Sequence, residues 1–307
     1  MSTTDTIIEI SGLSRRFGKK EALKDVTLSV ARGQVFGLVG ENGAGKTTLI
    51  RHLLGAYEAE AGSVRVFGLD PVRNPVAVLG RIGYLSEDRD LPLWMKVREY
   101  MAYTAAFYPD WDGAYAEALR KRFNLAPDAK LKQLSRGEKA KAGLLAALAH
   151  RPDLLLLDEP SSGLDAVARK DILGEVIRSV ADEGRTVIFS SHLLDEVERV
   201  SDHVAMIHEG VVALDRPMDA LKESHHRIVV RLDEGRAAFP DVPGVLHAEG
   251  SDRDWCLLCE GDKEELNGLL QALGGRMIEC TVPTLDAIFV GRVAGRPMAT
   301  APSGDET

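Results

Sequence analysis

Apolar positions along this chain fall into two kinds of run. Val35-Phe36-Gly37-Leu38-Val39 and Leu154-Leu155-Leu156-Leu157 contain no polar residue, which predicts central strands covered on both faces. Thr186 to Ser190 reads as another strand of this kind. Ile7 to Ile10, Val26 to Val30, Val64 to Val66 and Ile82 to Leu85 are shorter strand candidates. The second kind of run suits helices: Thr48 to Leu54, and Val167 to Glu183 between the Leu154 and Thr186 strands. Strands alternating with helices predict an α/β sheet. From about Trp94 to His150 the pattern is helical without a convincing strand, which predicts a helical subdomain inserted into that sheet.

Composition shifts near Ser224-His225-His226. The stretch from about Arg227 to Val290 holds short strands and one helix near Lys263 to Leu273, and reads as a small accessory α+β domain. The expected division is therefore 1–224, with the helical subdomain at about 88–150, then 225–291. A tail at 292–307, rich in Ala, Pro, Gly, Ser and Thr, is expected to be disordered.

Bulk numbers narrow the function classes. The 307 residues are 45% hydrophobic, enough for one large core and one small one. Lys and Arg total 38 against 47 Asp and Glu, a net charge of −9, which argues against a sequence-independent nucleic-acid binder. No apolar run approaches the roughly 20 residues that span a bilayer. Met1 to Asp5 is polar, without a signal-peptide core, and the expected compartment is the cytosol. Cys256 and Cys259 form a C-x-x-C inside an apparent strand, Trp255 to Cys259. Residues three apart on a strand face opposite ways, and the second ligand pair that zinc needs is missing, so these cysteines read as structural.

The run that carries chemistry is Gly40-Glu41-Asn42-Gly43-Ala44-Gly45-Lys46-Thr47-Thr48, which fits G-x-x-x-x-G-K-[ST] with a third glycine inside it. A buried strand precedes it and a helix follows. That order makes a phosphate cradle, with backbone N–H groups around the anion and the positive end of the helix facing it. Glycines allow the close backbone approach. Lys46 would reach the β- and γ-phosphates, and the Thr47 hydroxyl would sit on Mg²⁺. Asp158-Glu159 ends the Leu154 strand: Asp158 suits a magnesium ligand, and Glu159, projecting past the metal, a general base for an attacking water. His192 ends the next strand opposite the γ-phosphate, where its ring would sense phosphate and position that water. Ser135 is a plausible N-cap of a helix running to about His150, a second anion-reading helix end. Two chains facing head to tail would complete each other's site.

Taken together, residues 6 to 222 resemble the ATP-binding subunit of an ABC (ATP-binding cassette) transporter, with the family's motifs in order. The resemblance implies a P-loop ABC-type ATPase core, with Walker A at Gly40 to Thr48 and Walker B at Leu154 to Glu159. It implies a D-loop at Ser162-Gly163-Leu164-Asp165, a switch histidine at His192, and an aromatic, Phe17, stacked on adenine. Two positions depart from the family. The signature L-S-G-G-Q is Leu134-Ser135-Arg136-Gly137-Glu138, which keeps the phosphate-facing Ser135 and Gly137. The Q-loop glutamine is replaced by Glu87, which can still ligate magnesium but cannot donate a hydrogen bond unless protonated. A subset of bacterial exporter ATPases looks similar at both positions.

The resemblance implies ATP and Mg²⁺ as ligands, a second ATPase subunit of the same or a related chain, and a separate transmembrane permease. It places the protein in the cytoplasm, peripheral on the inner face of the cell membrane, powering export. Leu91-Pro92-Leu93-Trp94-Met95 reads either as the segment that passes motion to the permease or as core of the helical subdomain. The C-terminal domain reads as a dimer contact, a regulator or a fold-completing appendage. The alternatives in function are an ABC-type ATPase acting on ribosome or nucleic acid, and an ATP-binding regulator with little hydrolysis. The first lacks its usual marks, since the chain has no long heptad run and only one phosphate loop.

Overall fold

The computed structural model describes residues 6–88, 90–164, 169, 173, 177 and 183–294. The chain divides into two compact units, Met1–Arg216 and Pro217–Thr307. In the first, the wholly apolar runs form β3 (Val35–Val39) and β6 (Leu154–Leu157), buried at every position. They belong to a six-stranded sheet of order β5-β6-β7-β3-β8-β9, with β5 at Ile82–Leu85, β7 at Thr186–Ser191, β8 at His203–His208 and β9 at Val211–Pro217. The β5–β6, β6–β7, β7–β3 and β3–β8 pairs are all parallel. Parallel strands covered on both faces need this unbroken apolar character.

A second sheet is antiparallel, in the order β2-β1-β4, from β1 (Thr6–Phe17), β2 (Lys20–Ala31) and β4 (Ala61–Val66). β1 and β2 are 12-residue strands, much longer than the apolar runs at Ile7–Ile10 and Val26–Val30 that announce them. Their outer positions are solvated, so their sequence alternates and then turns polar. Ile8, Ile10, Leu28 and Val30 of this sheet share one core with Phe36, Leu38, Leu154 and Leu156 of the central sheet.

Helix α1 (Lys46–Leu53) follows β3 and α2 (Pro75–Leu79) precedes β5. The helical insertion comprises α3 (Val97–Ala105), α4 (Gly113–Arg122), a 3₁₀ turn at Leu131–Gln133 and α5 (Arg136–Leu148). The helix expected over Val167 to Glu183 lies largely outside the described residues. After β7 comes the short α6 (Leu194–Val200). It lies directly on β3, because a Cβ at Gly37 would overlap Val197 Cγ1 and Ser201 Oγ.

The second unit carries α7 (Met218–Ser224), β10 (His225–Arg236), β11 (Val245–Glu260), α8 (Lys263–Ala272), β12 (Gly275–Thr281) and α9 (Leu285–Ala294). Its antiparallel sheet has the order β11-β10-β12, and Leu266 and Leu270 of α8 close a core with Ile228, Val230, Trp255 and Leu257. Asp262 Oδ1 caps α8 by accepting from Glu264 N and Glu265 N. Cys259 is buried and Cys256 half-buried on β11, both as free thiols. Burial, the main cause, pushes the Cys259 thiol up to about 12. The expected tail falls outside the described residues from 295 onward.

Gly37→Ala puts a methyl group where α6 already sits. Overpacking of this kind costs about 1–3 kcal/mol, and urea unfolding of the purified chain is expected to show a loss in that range.

Candidate functional site

The parallel register places the carboxyl ends of four strands along one edge. Val39 pairs with Ser191, Leu157 with Phe189 and Leu85 with Leu157. Ligands of open α/β sheets bind at this edge. Here the phosphate loop leaves β3, Glu87 follows β5, Asp158-Glu159 follow β6, and β7 ends in Ser190-Ser191 with His192 next.

The loop from Gly40 enters α1 through Gly45, whose φ of 120° is open to glycine. A Cβ on Gly45 would press on the Ala22 carbonyl and the Leu23 side chain, so β2 requires this residue as well. Lys46 folds back over the loop, and its Nζ donates to Gly40 O at 2.7 Å and Glu41 O at 3.3 Å. The same ammonium lies 3.0 Å from Glu159 Oε1, both side chains being only 5% exposed. That approach is at ion-pair distance but off the hydrogen-bond line, since Oε1 has no hydrogen-bond donor. The other oxygen, Oε2, is 2.7 Å from His192 Nδ1. Glu159 is thus held between Lys46 and His192. Its φ of 46° is rare for a residue with a side chain.

Asp158 is buried behind this cluster. Its Oδ1 accepts from Ser190 Oγ at 2.7 Å and Thr47 Oγ1 at 3.3 Å, and Ser190 Oγ accepts from Glu159 N at 2.9 Å. Burial pushes the Asp158 carboxyl above its ordinary range, opposed by the Ser190 and Thr47 hydroxyls. Its Oδ2 is buried without a hydrogen-bond donor. Glu87 is exposed at the mouth of the site. Burial first, then the charges of Glu159 and Asp158, pushes its carboxyl up as well. Among the described residues no three His, Cys, Asp or Glu side chains form an all-protein metal cage. Magnesium needs none, because it keeps waters and shares phosphate oxygens. The orphaned Asp158 Oδ2 beside the Thr47 hydroxyl fits such an ion.

Phe17, Lys46, Thr47, Glu87 and Glu159 line one cavity of about 340 Å³, within the size range of small-molecule sites. Phe17 lies at its rim, 41% exposed, with its ring 5.4 Å from Tyr57 and the Arg15 guanidinium 5.0 Å from its centre. Ser135 and Gly137 do not line this cavity. Ser135 caps α5 instead: its Oγ accepts from Glu138 N, and its N–H donates to Glu138 Oε2. That N3 bond holds the Glu138 carboxyl below its usual range. Asp165 lies outside the described residues.

A family model described as ABC transporter matches residues 23–162. The bacitracin transport ATP-binding protein BcrA of Bacillus licheniformis is 34% identical over 303 residues, covering 94% of this chain and 98% of that protein. The chain belongs to the ABC transporter ATP-binding family. It is an ATP-binding, ATP-hydrolysing cassette with a P-loop α/β core. The Nod factor export ATP-binding protein I of Rhizobium leguminosarum bv. viciae is 29% identical, with 97% of each chain covered. A solved structure titled as the ATP binding subunit of an ABC transporter superposes with a TM-score of 0.65 at 28% identity, covering 71% of this chain and 92% of that one.

Motif reading overlooked two contributors to this ABC cassette. Lys20 Nζ donates to Gly43 O at 3.3 Å and lines the phosphate-loop cavity, adding a second cation. Ser190 ties Asp158 to Glu159, and its only sequence signal is a polar residue inside a strand buried throughout. Ser190→Ala strands the Glu159 N–H in the interior and leaves Asp158 Oδ1 only the longer bond from Thr47. Leaving such a group unpaired costs about 1–3 kcal/mol, and urea unfolding is expected to show that loss.

Proposed function

We propose that this chain is the ATPase half of an exporter, closing head to tail on a second copy around two ATP molecules and driving a separate transmembrane permease from the cytoplasmic face of the membrane. The carrying observation is Glu159 held at the end of β6, 3.0 Å from Lys46 and 2.7 Å from His192. Lys46 and the loop N–H groups hold the phosphates, Phe17 offers its ring to adenine, and Thr47, Asp158 and Glu87 would hold magnesium. Magnesium bound there neutralises charge developing on the β- and γ-phosphate oxygens. Glu159 takes a proton from the attacking water, whose oxygen bonds the γ-phosphorus. The bond from the γ-phosphorus to the bridging oxygen breaks, and ADP leaves with the electron pair. His192 orients Glu159 and the water.

Ser135 and Gly137 lie away from the phosphate cavity of their own chain, which supports their reading the γ-phosphate held by the partner copy. Asp165 would serve the same interface. Among the described residues no helix is long and apolar enough to cross a membrane, and the proposed permease is a separate chain. A groove suited to that chain supports this reading: Val76, Leu91, Pro92, Tyr103 and Phe107 line one open apolar groove, with Val76 87% and Phe107 65% exposed. Trp94, in the segment after Glu87, is 73% exposed, while Met95 is buried. This segment thus serves both surface and core. The name of the Rhizobium relative supports export as the direction.

Glu159→Gln is expected to cut ATP turnover by roughly 10²- to 10⁴-fold while nucleotide binding, followed by fluorescence titration, survives. Turnover at the wild-type rate would show that another group is the base. The paired change Val76→Asp and Phe107→Asp is expected to abolish co-purification of a polytopic membrane protein with the tagged chain from detergent-solubilised cells, with ATP binding intact. Undiminished co-purification would move the docking surface elsewhere, and recovery of wild-type chain with ribosomes or nucleic acid alone would overturn the transporter reading.

A further inference from the structure

Two loops leave the carboxyl ends of β6 and β7, and each carries one half of the proposed reacting pair, Glu159 or His192. The backbone ladder between these strands ends at Leu157 and Phe189. Past that point the loops must be held in register by side chains. Ser190 does so at the level of Asp158, as described above.

A second tie lies farther out. Ser161 is two residues beyond Glu159, and Ser191 immediately precedes His192. Their hydroxyls donate to the same oxygen, Glu196 Oε2, at 2.7 and 3.3 Å. Ser191 Oγ in turn accepts from Leu193 N at 3.0 Å, fixing the turn that follows His192. The other carboxylate oxygen, Oε1, lies 3.3 Å from Arg169 Nε. Glu196, Ser161 and Ser191 are each at most 2% exposed. A carboxylate this deeply buried is costly unless it is paired and hydrogen-bonded. Here the compensating groups come from both catalytic loops and from Arg169. The carboxylate itself rides on α6, which the missing side chain of Gly37 lets down onto β3.

We infer that Glu196 is a positioning residue for ATP hydrolysis, pinning the segment after Glu159 to the segment before His192 so that the two keep the contact the reaction uses. The inference rests on the roles proposed above for Glu159 and His192. The carboxylate is buried and does not line the phosphate-loop cavity. It acts through Ser161 and Ser191, and its effect belongs in turnover rather than in ATP binding.

The test is steady-state ATPase kinetics of the full chain. Glu196→Ala removes the oxygen that both hydroxyls share, and is expected to lower kcat roughly 10- to 100-fold, the scale set by small misplacements of reacting groups. The KM for ATP should stay within about twofold. Glu196→Gln keeps one acceptor oxygen and should recover a clear part of the lost kcat. Should Glu196→Ala fold poorly, the Ser161→Ala/Ser191→Ala pair cuts the same tie from the other side and should lower kcat with unchanged KM. Adding Glu196→Ala to that pair should then cost little more. A kcat for Glu196→Ala within about twofold of wild type overturns the inference, as do effects of the serine and glutamate changes that multiply independently. Glu159→Gln in the same assay tests the base assignment separately: if it turns over normally while Glu196→Ala is slow, the role of Glu159 fails, not the tie.

Discussion

A buried ammonium facing a buried carboxylate, Lys46 with Glu159, is the contact around which this molecule is arranged. Neither charge is stable there alone, because removing one member of a buried pair costs roughly 3–5 kcal/mol. Lys46 therefore needs the Gly40 and Glu41 carbonyls, and Glu159 needs His192. The arrangement is poised for exchange. In the proposed mechanism a nucleotide phosphate entering the loop offers Lys46 a stronger partner, and Glu159 is then freed toward water on the His192 side. In that proposal one ion pair links nucleotide binding to exposure of the proposed base.

The sheet makes that contact possible by converging its strand ends. β3, β6 and β7 are buried throughout, and their loops must satisfy polar groups without help from bulk water. Ser190 and Glu196 serve this need at two successive levels, first beside Asp158 and then beside Ser161 and Ser191. Gly37 is the steric condition for the second level, since α6 reaches β3 only where no side chain intervenes. The tight surroundings that raise the Asp158 carboxyl also leave its Oδ2 oxygen without a hydrogen-bond donor.

What the sequence reveals follows from where burial is complete. Leu154 to Leu157 and Val35 to Val39 could be read directly, because a strand covered on both faces tolerates nothing polar, and the glycine loop fixes its own chemistry. The full lengths of β1 and β2 could not be read, because half their positions meet solvent and carry Lys20, Glu21 and Lys24. β9 and the five-residue α2 escaped notice for want of length or of an unbroken pattern, whereas β8 carried a signal that was overlooked, Val204-Ala205-Met206-Ile207, an apolar run as long as Leu154 to Leu157. The Ser135 cap was legible, since Ser135 and Glu138 stand at capping-box spacing before a helix. The ties made by Ser190 and Glu196 were not. They join residues 31 to 35 positions apart through strand register, and no local pattern encodes that.

The most direct test of this account is the structure of the chain with Mg²⁺ and a hydrolysis-resistant ATP analogue. Lys46 Nζ is expected on a phosphate oxygen and withdrawn from Glu159, with Asp158 and Thr47 turned to the metal and Glu159 still against His192. Lys46 remaining on Glu159, with the nucleotide seated elsewhere, would contradict it.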